Sequence, residues 1–284
     1  MSSSVDNLVL ASPPVTVIRP PRGWTGINLR ELCHYRELLY FLAWRNIKVR
    51  YKQTLLGAAW ALLQPLATML VFSIFFGKLA KIPSDGVPYP LFALAALLPW
   101  QLFSSALSEC SNSVVSNQQL ITKVYFPRLV VPLSAVMSSL VDFAIALVVL
   151  LAMMLGYGVV PHARVLLLPA FILFAVIAAL SVGVWLSALT VEYRDVRYTV
   201  PFLMQFWMFA TPVAYPSSLV PEKWRALMGL NPMAGVVEGF RWSLLGSGSG
   251  CGPLMLVSVV IVAAMLIGGL VYFRRMEATF ADRV

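Results

Sequence analysis

The sequence predicts an all-α integral membrane protein, and its composition and apolar pattern support that fold class. Of its 284 residues, 60% are hydrophobic and only 12% are charged, against about a quarter charged in an ordinary soluble domain. The mean hydropathy is +0.81. The apolar residues form long continuous runs rather than the short alternating strands of a membrane barrel. This composition excludes disordered chains, nucleic-acid-binding domains and almost every soluble enzyme.

Six apolar runs have the length of roughly 20 residues that a helix needs to cross the hydrocarbon core. The predicted spans are residues 55–77, 90–114, 129–155, 165–190, 199–217 and 252–273. Segment 218–250 alternates apolar stretches with charges, so it fits a seventh span or a pair of short helices that dip in from outside. A six-span arrangement places 15 of the 21 basic residues on one side with both termini, and the positive-inside rule makes that side cytoplasmic. We therefore predict six spans and an external re-entrant hairpin at 218–250.

The N-terminal part of the chain is too polar to span. Residues 1–28 contain four prolines and no continuous apolar core of the signal-peptide type, so we expect a flexible cytoplasmic tail. Residues 29–47 mix charged and apolar positions, which predicts an amphipathic helix at the cytoplasmic interface. Residues 29–284 then form one transmembrane domain. The net charge of +9 fits cytoplasmic loops that contact anionic membrane lipids, and we expect no nucleic-acid partner.

The sequence offers no residues for catalysis, cofactor binding or metal binding. Its three cysteines are far apart and it has only two histidines, which argues against a metal centre. It lacks the G-x-x-x-x-G-K-[ST] phosphate loop, so ATP-driven transport needs a separate ATPase chain. Glu109 and Asp142 lie within predicted spans, where they form a structural pair or part of a proton relay. We predict a transport subunit and not an enzyme.

Aromatic side chains mark the first and fifth predicted spans. Those of the fifth span follow the i, i+4, i+7 spacing of one helical stripe. Core packing or lipid contact explains such a pattern, but so does a lining along which sugar rings slide. The candidates for a glycan pathway are Trp60, Phe72, Phe76, Tyr198, Phe202, Phe206 and Phe209.

Two polar segments offer further candidates. Segment 116–126 has a short helical pattern that Pro127 ends, and it fits a solvated connector or a docking helix for a cytoplasmic partner. Its candidate contact residues are Gln119, Leu120, Thr122, Lys123 and Tyr125. A basic cluster before the first span consists of Arg45, Lys48, Arg50 and Lys52. Anchoring in anionic headgroups is the simpler explanation for this cluster, and attraction of a lipid pyrophosphate is the alternative.

Several stretches, taken in order, carry a family resemblance. They are 45–57 (RNIKVRYKQTLLG), 121–128 (ITKVYFPR), 193–196 (YRDV), 211–213 (TPV) and 230–233 (LNPM). From about residue 28 onward, the chain resembles the permease subunit of type-2 ABC exporters of polysaccharides, most closely the O-antigen exporter permease (Wzm-like). The resemblance implies a homodimer in the bacterial inner membrane with two copies of a cytoplasmic ABC ATPase. That partner is expected to bind ATP and magnesium, with no cofactor in this chain.

The resemblance also implies roles for segments of the chain. It makes 29–47 an interface helix, about 116–126 a coupling helix seated in the ATPase, and 218–250 external gate helices. The gate candidates are Trp224, Asn231, Glu238 and Arg241. The expected substrate is a lipid-linked, O-antigen-like polysaccharide. Teichoic acid, capsule polysaccharide or a small amphipathic drug are alternatives, and an ion-coupled glycolipid flippase is a more remote one.

Overall fold

The structure, a computed structural model, describes residues 29–52, 59–160, 163–248, 250, 252, 254–277 and 279–280. Within these residues the regular structure is entirely helical, which confirms the all-α prediction. The α-helices are α1 (Leu29–His34), α2 (Arg36–Lys52), α3 (Ala59–Phe72), α4 (Tyr89–Ser116), α5 (Gln118–Lys123), α6 (Val130–Gly156), α7 (Leu168–Glu192), α8 (Val196–Ala210), α9 (Glu222–Met228), α10 (Pro232–Leu245) and α11 (Leu254–Glu277).

Five helical segments of the described residues are long and apolar enough to cross a membrane. They are Ala59–Leu79, Tyr89–Ser116, Val130–Gly156, Ala163–Glu192 and Leu254–Glu277. The first adds a π-helical stretch, Ser73–Leu79, to α3, and the fourth adds a 3-10 turn, Ala163–Leu167, to α7. The predicted tail 1–28 and the first residues of the 55–77 span, up to residue 58, lie outside the described residues.

The fifth predicted span, residues 199–217, is a shorter helix than its apolar pattern suggests. α8 ends at Ala210, and its 15 residues rise about 22 Å, less than the roughly 30 Å of hydrocarbon core. The following residues, 211–216, are non-helical and almost all buried. The apolar pattern continues past the helix because this turn is packed inside the protein.

α4 is the centre of the bundle. In its most apolar 18-residue window 78% of residues are buried, against 11% in the segment that contains α3. α4 packs mainly on α6 and α7, and α7 also packs on α11. A Cβ atom on Gly183 of α7 would lie 2.7 Å from the Cys110 Sγ of α4, and one on Gly239 of α10 would lie 2.2 Å from the Phe171 ring. Small residues at such contacts let membrane helices approach closely.

The predicted interface helix 29–47 consists of α1 and α2, which are separated at Tyr35, and α2 continues to Lys52. α2 packs against α6. Its outward side exposes three large aromatic side chains, Tyr40, Phe41 and Trp44. Exposed aromatic residues next to basic ones are typical of helices that lie in a membrane interface.

In its described residues, the predicted hairpin 218–250 contains two short helices, α9 and α10, which are separated by residues 229–231. α10 is mostly buried and packs against α4 and α7. Asn231 caps α10, because its Oδ1 accepts a hydrogen bond from the Met233 backbone N–H at 3.1 Å and Pro232 occupies the first turn. Neither helix is one of the five membrane-crossing segments.

Candidate functional site

Exposed aromatic side chains mark α3 and α8. We call this set the exposed aromatics: Trp60, Tyr198, Phe202, Phe206 and Phe209. The rings of Phe202 and Phe206 are 4.8 Å apart in an edge-to-face contact. Val200 and Met204 of the same helix are buried. α8 therefore buries an aliphatic side and presents an aromatic side outward, which suits contact with something beyond this chain.

Two predicted pathway residues, Phe72 and Phe76, do not belong to the exposed aromatics. Phe72 is only 7% exposed and packs edge-to-face on half-buried Phe76, with 5.3 Å between ring centres. Phe75, three residues further along, is the exposed one. Phe72 thus belongs to the core of this chain, because its side of α3 packs against α4. We therefore leave Phe72 out of the proposed pathway.

A charged cluster joins three helices. Arg50 of α2 forms ion pairs with Glu109 of α4 and, at 2.9 Å, with Asp142 of α6. Tyr51 donates a hydrogen bond to Asp142, and Ser138 donates one to Glu109. Partial burial and the bond to Asp142 raise the pKa of the Tyr51 phenol, so Tyr51 remains a donor at physiological pH. We call these five residues the Arg50 cluster.

The Arg50 cluster accounts for both intramembrane acids. Glu109 and Asp142 share one arginine and do not pair with each other. This arrangement supports the structural explanation for these carboxylates over a proton relay, because both carboxylates bind the same arginine. The cluster has two formal negative charges and one positive charge.

The other basic residues near the end of α2 have different surroundings. Arg45 donates a hydrogen bond to Asn117, the residue between α4 and α5. The Lys48 ammonium lies 5.4 Å from the centre of the Trp44 ring. Lys52 is exposed.

A polar groove of about 640 Å³ runs beside the Arg50 cluster. Arg45 and Arg50 line it from α2, Arg197 lines it from the start of α8, and serine and asparagine side chains line it from the last turns of α4. The Oδ1 of Asn112 in this groove is buried and has no hydrogen-bond donor among the described residues. Glu109 also lines the groove but pairs with Arg50, so Arg45 and Arg197 leave the groove with an excess of positive charge, which makes it suitable for an anionic group.

Arg241 of α10 was predicted as a gate residue, but the structure places it in the core. It is 3% exposed, and its guanidinium carbon lies 3.5 Å from the centre of the Phe92 ring. Over distances of 2.6–3.3 Å the guanidinium donates to the backbone carbonyls of Phe92, Pro212, Val213 and Tyr215. Three of these carbonyls belong to the non-helical turn after α8. Arg241 supplies the donors that a buried turn cannot find in its own backbone.

Two further predicted gate residues lie near the C-terminal end of α8. Trp224 of α9 is exposed. The Asn231 Oδ1 accepts a hydrogen bond from the Trp207 Nε1 at 3.0 Å, and its Nδ2 donates to the Thr211 Oγ1 at 2.9 Å. A cavity of about 460 Å³ lies between these side chains and Tyr215. Asn231 thus ties the hairpin to the last turn of α8.

Glu238 of α10 is the fourth predicted gate residue. It is half-buried and accepts a hydrogen bond from Ser217. Burial raises the pKa of its carboxyl group, and the positive charge of Arg241 acts in the opposite direction. A separate cavity of about 480 Å³ is lined by Glu238, Asp85 and Arg225.

The predicted docking segment 116–126 contains the helix α5. Gln119, Thr122, Lys123 and Tyr125 are exposed, and Leu120 is half-buried. Ile121 is buried in the core cluster and fixes the helix to the bundle. The exposed residues therefore form a small surface that is anchored at the C-terminal end of α4.

Two site features had only weak signals in the sequence. An arginine within an apolar stretch, as at Arg241, signals that acceptors must be close, but not that they are carbonyls. The ion pair of Arg50 with Glu109 spans 59 residues of sequence, so no local pattern reveals it. Among the described residues, no group of three or more His, Cys, Asp or Glu side chains is placed to hold a metal ion.

Comparisons with known proteins agree with this architecture. Residues 37–245 match the ABC-2 type transporter family. The O-antigen export system permease protein RfbA of Myxococcus xanthus is 35% identical over 75% of this chain and 82% of its own length. RfbA of Klebsiella pneumoniae is 28% identical over 87% of this chain and 94% of its own length. The polysialic acid transport protein KpsM of Escherichia coli is 22% identical over 82% and 92% of the two lengths.

The family match covers most of the bundle, from α2 through α10. The similar proteins are permeases, and the described residues contain several helices able to cross a membrane. The chain therefore belongs to the ABC-2 type transporter family as a membrane permease, and this membership implies an ABC ATPase as its partner in the transporter.

Proposed function

We propose that the chain is the transmembrane subunit of an exporter that moves a lipid-linked, O-antigen-like polysaccharide across the bacterial inner membrane. The observation that carries this proposal is the set of exposed aromatics on α3 and α8. Sugar rings have apolar C–H faces that stack on aromatic side chains. A row of such weak contacts lets a polymer advance, because no single site holds it too tightly to leave. The similar RfbA proteins are permeases of O-antigen export systems, which supports the same class of cargo for this chain.

The proposed assembly is a homodimer with six spans per copy, in which α8 is the fifth span. Residues 1–28 are the cytoplasmic tail and 29–284 the transmembrane domain. α9 and α10 form an external re-entrant gate, and both termini face the cytoplasm. The buried, non-helical turn 211–216 supports this arrangement, since irregular backbone at membrane depth is tolerated only inside protein or beside water. A second copy placed on the exposed aromatics would enclose the pathway.

Energy for transport comes in this proposal from two copies of the ATPase partner, which bind ATP and magnesium, while this chain has no catalytic site. The exposed residues of α5 are the proposed contact surface. Only Asn117 separates α5 from α4, so a push on α5 reaches the central helix of the bundle directly. Arg45 carries the same motion to α2 through its hydrogen bond to Asn117.

The lipid pyrophosphate is proposed to enter beside α2. Arg45, Lys48 and Lys52 are the attracting residues, together with Arg197 across the polar groove. Arg50 was part of the predicted cluster, but its charge is compensated by Glu109 and Asp142. We therefore assign Arg50 to holding the entrance in shape.

Depletion of the chain in its native cells tests the proposed function. Surface polysaccharide and lipid-linked glycan in the cytoplasmic leaflet are measured together. Loss of the surface polymer with accumulation of its lipid-linked precursor is the expected result. Normal surface polysaccharide without accumulation, in cells that have no second exporter, would reject the proposal and direct attention to efflux of small amphipathic compounds.

A matched pair of substitutions tests the aromatic contribution. Phe206→Ala removes an exposed aromatic of α8, and Leu256→Ala removes a similarly exposed apolar side chain of α11. Export should fall several-fold for Phe206→Ala and stay near normal for Leu256→Ala, with equal amounts of both proteins in the membrane. Equal export by the two variants would remove the aromatic lining from the proposal.

Capsule polysaccharide is a second candidate cargo, because KpsM is similar over 82% of this chain. The depletion experiment separates the two cargoes. The proposal predicts that the lipopolysaccharide-linked polymer disappears and that capsule persists.

A further inference from the structure

A cavity lined by both polar and apolar side chains lies within a single copy of the chain, between α3, α4 and α6 at the end of α2. Its volume is about 210 Å³. Each of the three helices contributes a pair of residues one turn apart, which places both members of a pair on the same side of the helix. The pairs are Trp60 and Gln64, Gln101 and Ser105, and Ser139 and Asp142. We call this space the three-helix cavity.

Hydrogen-bonding groups of the three-helix cavity are left without partners. Ser139 is 1% exposed, and its Oγ has no hydrogen-bond partner among the described residues. The side chains of Gln64, Gln101 and Ser105 also form no hydrogen bond with any residue that the structure describes. Polar groups at membrane depth are normally satisfied, because an unpaired one costs free energy. The cavity therefore offers donors and acceptors to a polar guest.

The charges around the cavity exclude an anionic guest. Arg50 and Asp142 both line it, and Arg50 is shared with Glu109 just outside. The positive charge is thus more than balanced by two carboxylates. Tyr51 and Arg50 fix the orientation of the Asp142 carboxylate, which still has acceptor capacity for a further hydrogen bond.

We propose that the three-helix cavity is a saccharide subsite that holds one sugar ring of the exported glycan at the entrance of the pathway. An aromatic ring at the rim, two amides, two hydroxyls and an oriented carboxylate are the groups that recognise a neutral, polyhydroxylated ring. To a cavity of about 210 Å³ we assign one ring and not a longer segment. An ammonium headgroup would also bind Trp60 and Asp142, but it would leave the amides and hydroxyls unused.

This assignment rests on the proposed function and adds a side chamber to the pathway. Trp60 and Gln64 are exposed at the rim and belong to the same helix as the proposed lining. Gln101, Ser105, Ser139 and Asp142 are less exposed and lie on α4 and α6, which carry none of the exposed aromatics. A ring that occupies the chamber therefore has to leave it before the polymer advances.

Binding to the complete permease–ATPase complex in lipid nanodiscs tests the subsite. The probe is the set of mono- and oligosaccharides that mild acid releases from the surface polysaccharide of the native cells, followed by saturation-transfer NMR. Ser105→Leu fills the cavity, and Gln101→Leu removes an amide at nearly constant size. Ser104→Leu is the matched control, because Ser104 is the neighbouring, similarly half-buried residue that does not line the cavity. Affinity should fall about tenfold for the two cavity variants and remain normal for the control.

The outcomes separate this inference from the proposed function. Equal sugar binding by Ser105→Leu, Gln101→Leu and Ser104→Leu, or no binding by the unaltered complex, overturns the subsite even where depletion proves glycan export. Displacement of the sugar by ethanolamine overturns it in favour of an ammonium site. Normal surface polysaccharide after depletion refutes the proposed function instead. Unchanged elution of each variant with the ATPase shows that a loss of binding is not a loss of assembly.

Discussion

Two arginines of this bundle solve the same physical problem in opposite ways. Arg241 is almost fully buried and binds four backbone carbonyls and an aromatic face. Arg50 is about one third exposed and binds two carboxylates from different helices. Each guanidinium needs acceptors, because a lone charge among apolar helices is expensive. The first takes acceptors from the backbone and the second takes them from side chains.

The two arginines differ in how rigidly they hold their surroundings: Arg241 fixes a turn in place, whereas Arg50 links helices that can move. Carbonyl acceptors are part of the fold, so Arg241 and the turn 211–216 must form together and cannot exchange partners. Carboxylates sit on flexible side chains beside a groove and a cavity. The Arg50 cluster can therefore adjust when α2, α4 and α6 move, which suits the proposed entrance. Arg241 suits a part of the permease that has to stay rigid.

The largest expected effect is the loss of stability when Arg241 is replaced. Arg241→Leu removes this donor from the Pro212, Val213 and Tyr215 carbonyls of the turn, and an unsatisfied buried carbonyl costs about 1–3 kcal/mol. We expect a total above roughly 3 kcal/mol, a large share of the stability of a typical domain. Thermal unfolding of the purified permease in detergent measures it. Arg225→Leu on the exposed side of α9 is the control. A melting temperature of Arg241→Leu within about 2 °C of that control would contradict the proposal that Arg241 fixes the turn 211–216.

Lysine substitutions sharpen the comparison. Lys carries a compact charge that reaches two carboxylates, but it lacks the planar fork that spans several carbonyls. We expect Arg50→Lys to retain most of its stability and export. Arg241→Lys should lose about 2 kcal/mol more than Arg50→Lys. Equal losses in unfolding experiments on the two variants would show that geometry does not distinguish the two sites.

A pair of double-mutant cycles tests which arginine depends on acidic partners. The cycle of Arg50→Met with Glu109→Gln should give a coupling free energy of about 1 kcal/mol, because both side chains of the ion pair are about one third exposed. The cycle of Arg241→Lys with Glu238→Gln should stay within roughly 0.5 kcal/mol of additivity. Glu238 is only one turn from Arg241, yet its hydrogen-bond donor is Ser217. Couplings of equal size would remove the distinction between carbonyl and carboxylate partners.

Much of the fold was predictable because burial in lipid demands apolar length. The long helices follow the predicted runs, and the Asn231-Pro232 start of α10 follows from capping chemistry. The end of α8 was not predictable from apolarity. Residues 211–216 are as apolar as a span but gain their hydrogen bonds from Arg241, on a helix that comes later in the chain. The pattern records burial and not the backbone conformation.

The candidate site was also predictable from the sequence only in part. The stripe Phe202, Phe206 and Phe209 is a local, helical pattern, and the structure exposes all three residues. Phe72 has the same residue type but packs into the core, because its neighbours in space and not in sequence decide its exposure. The contacts that Arg50 and Tyr51 make in the Arg50 cluster cross 59 or more residues of sequence. Single residues in that cluster were candidates, but their mutual compensation needed the three-dimensional arrangement.

The smallest expected effect concerns Glu238, the carboxylate that Arg241 does not use as a hydrogen-bond partner. Burial raises the pKa of Glu238 in the folded protein above its value in the unfolded chain. The protonated form is thus favoured on folding, so the stabilisation is complete at low pH and is lost as the pH rises through the raised pKa. Hydrogen exchange of α9 and α10, corrected for intrinsic rates, should be slower at about pH 5 than at about pH 8. Glu238→Gln should remove this difference and Glu222→Gln on the exposed start of α9 should retain it. A pH dependence that survives in Glu238→Gln would belong to another group and would overturn its assignment to Glu238. The opposite pH dependence, lost in Glu238→Gln, would show that the charged form of Glu238 is tied to Arg241 after all, and the two arginines would then differ only in degree.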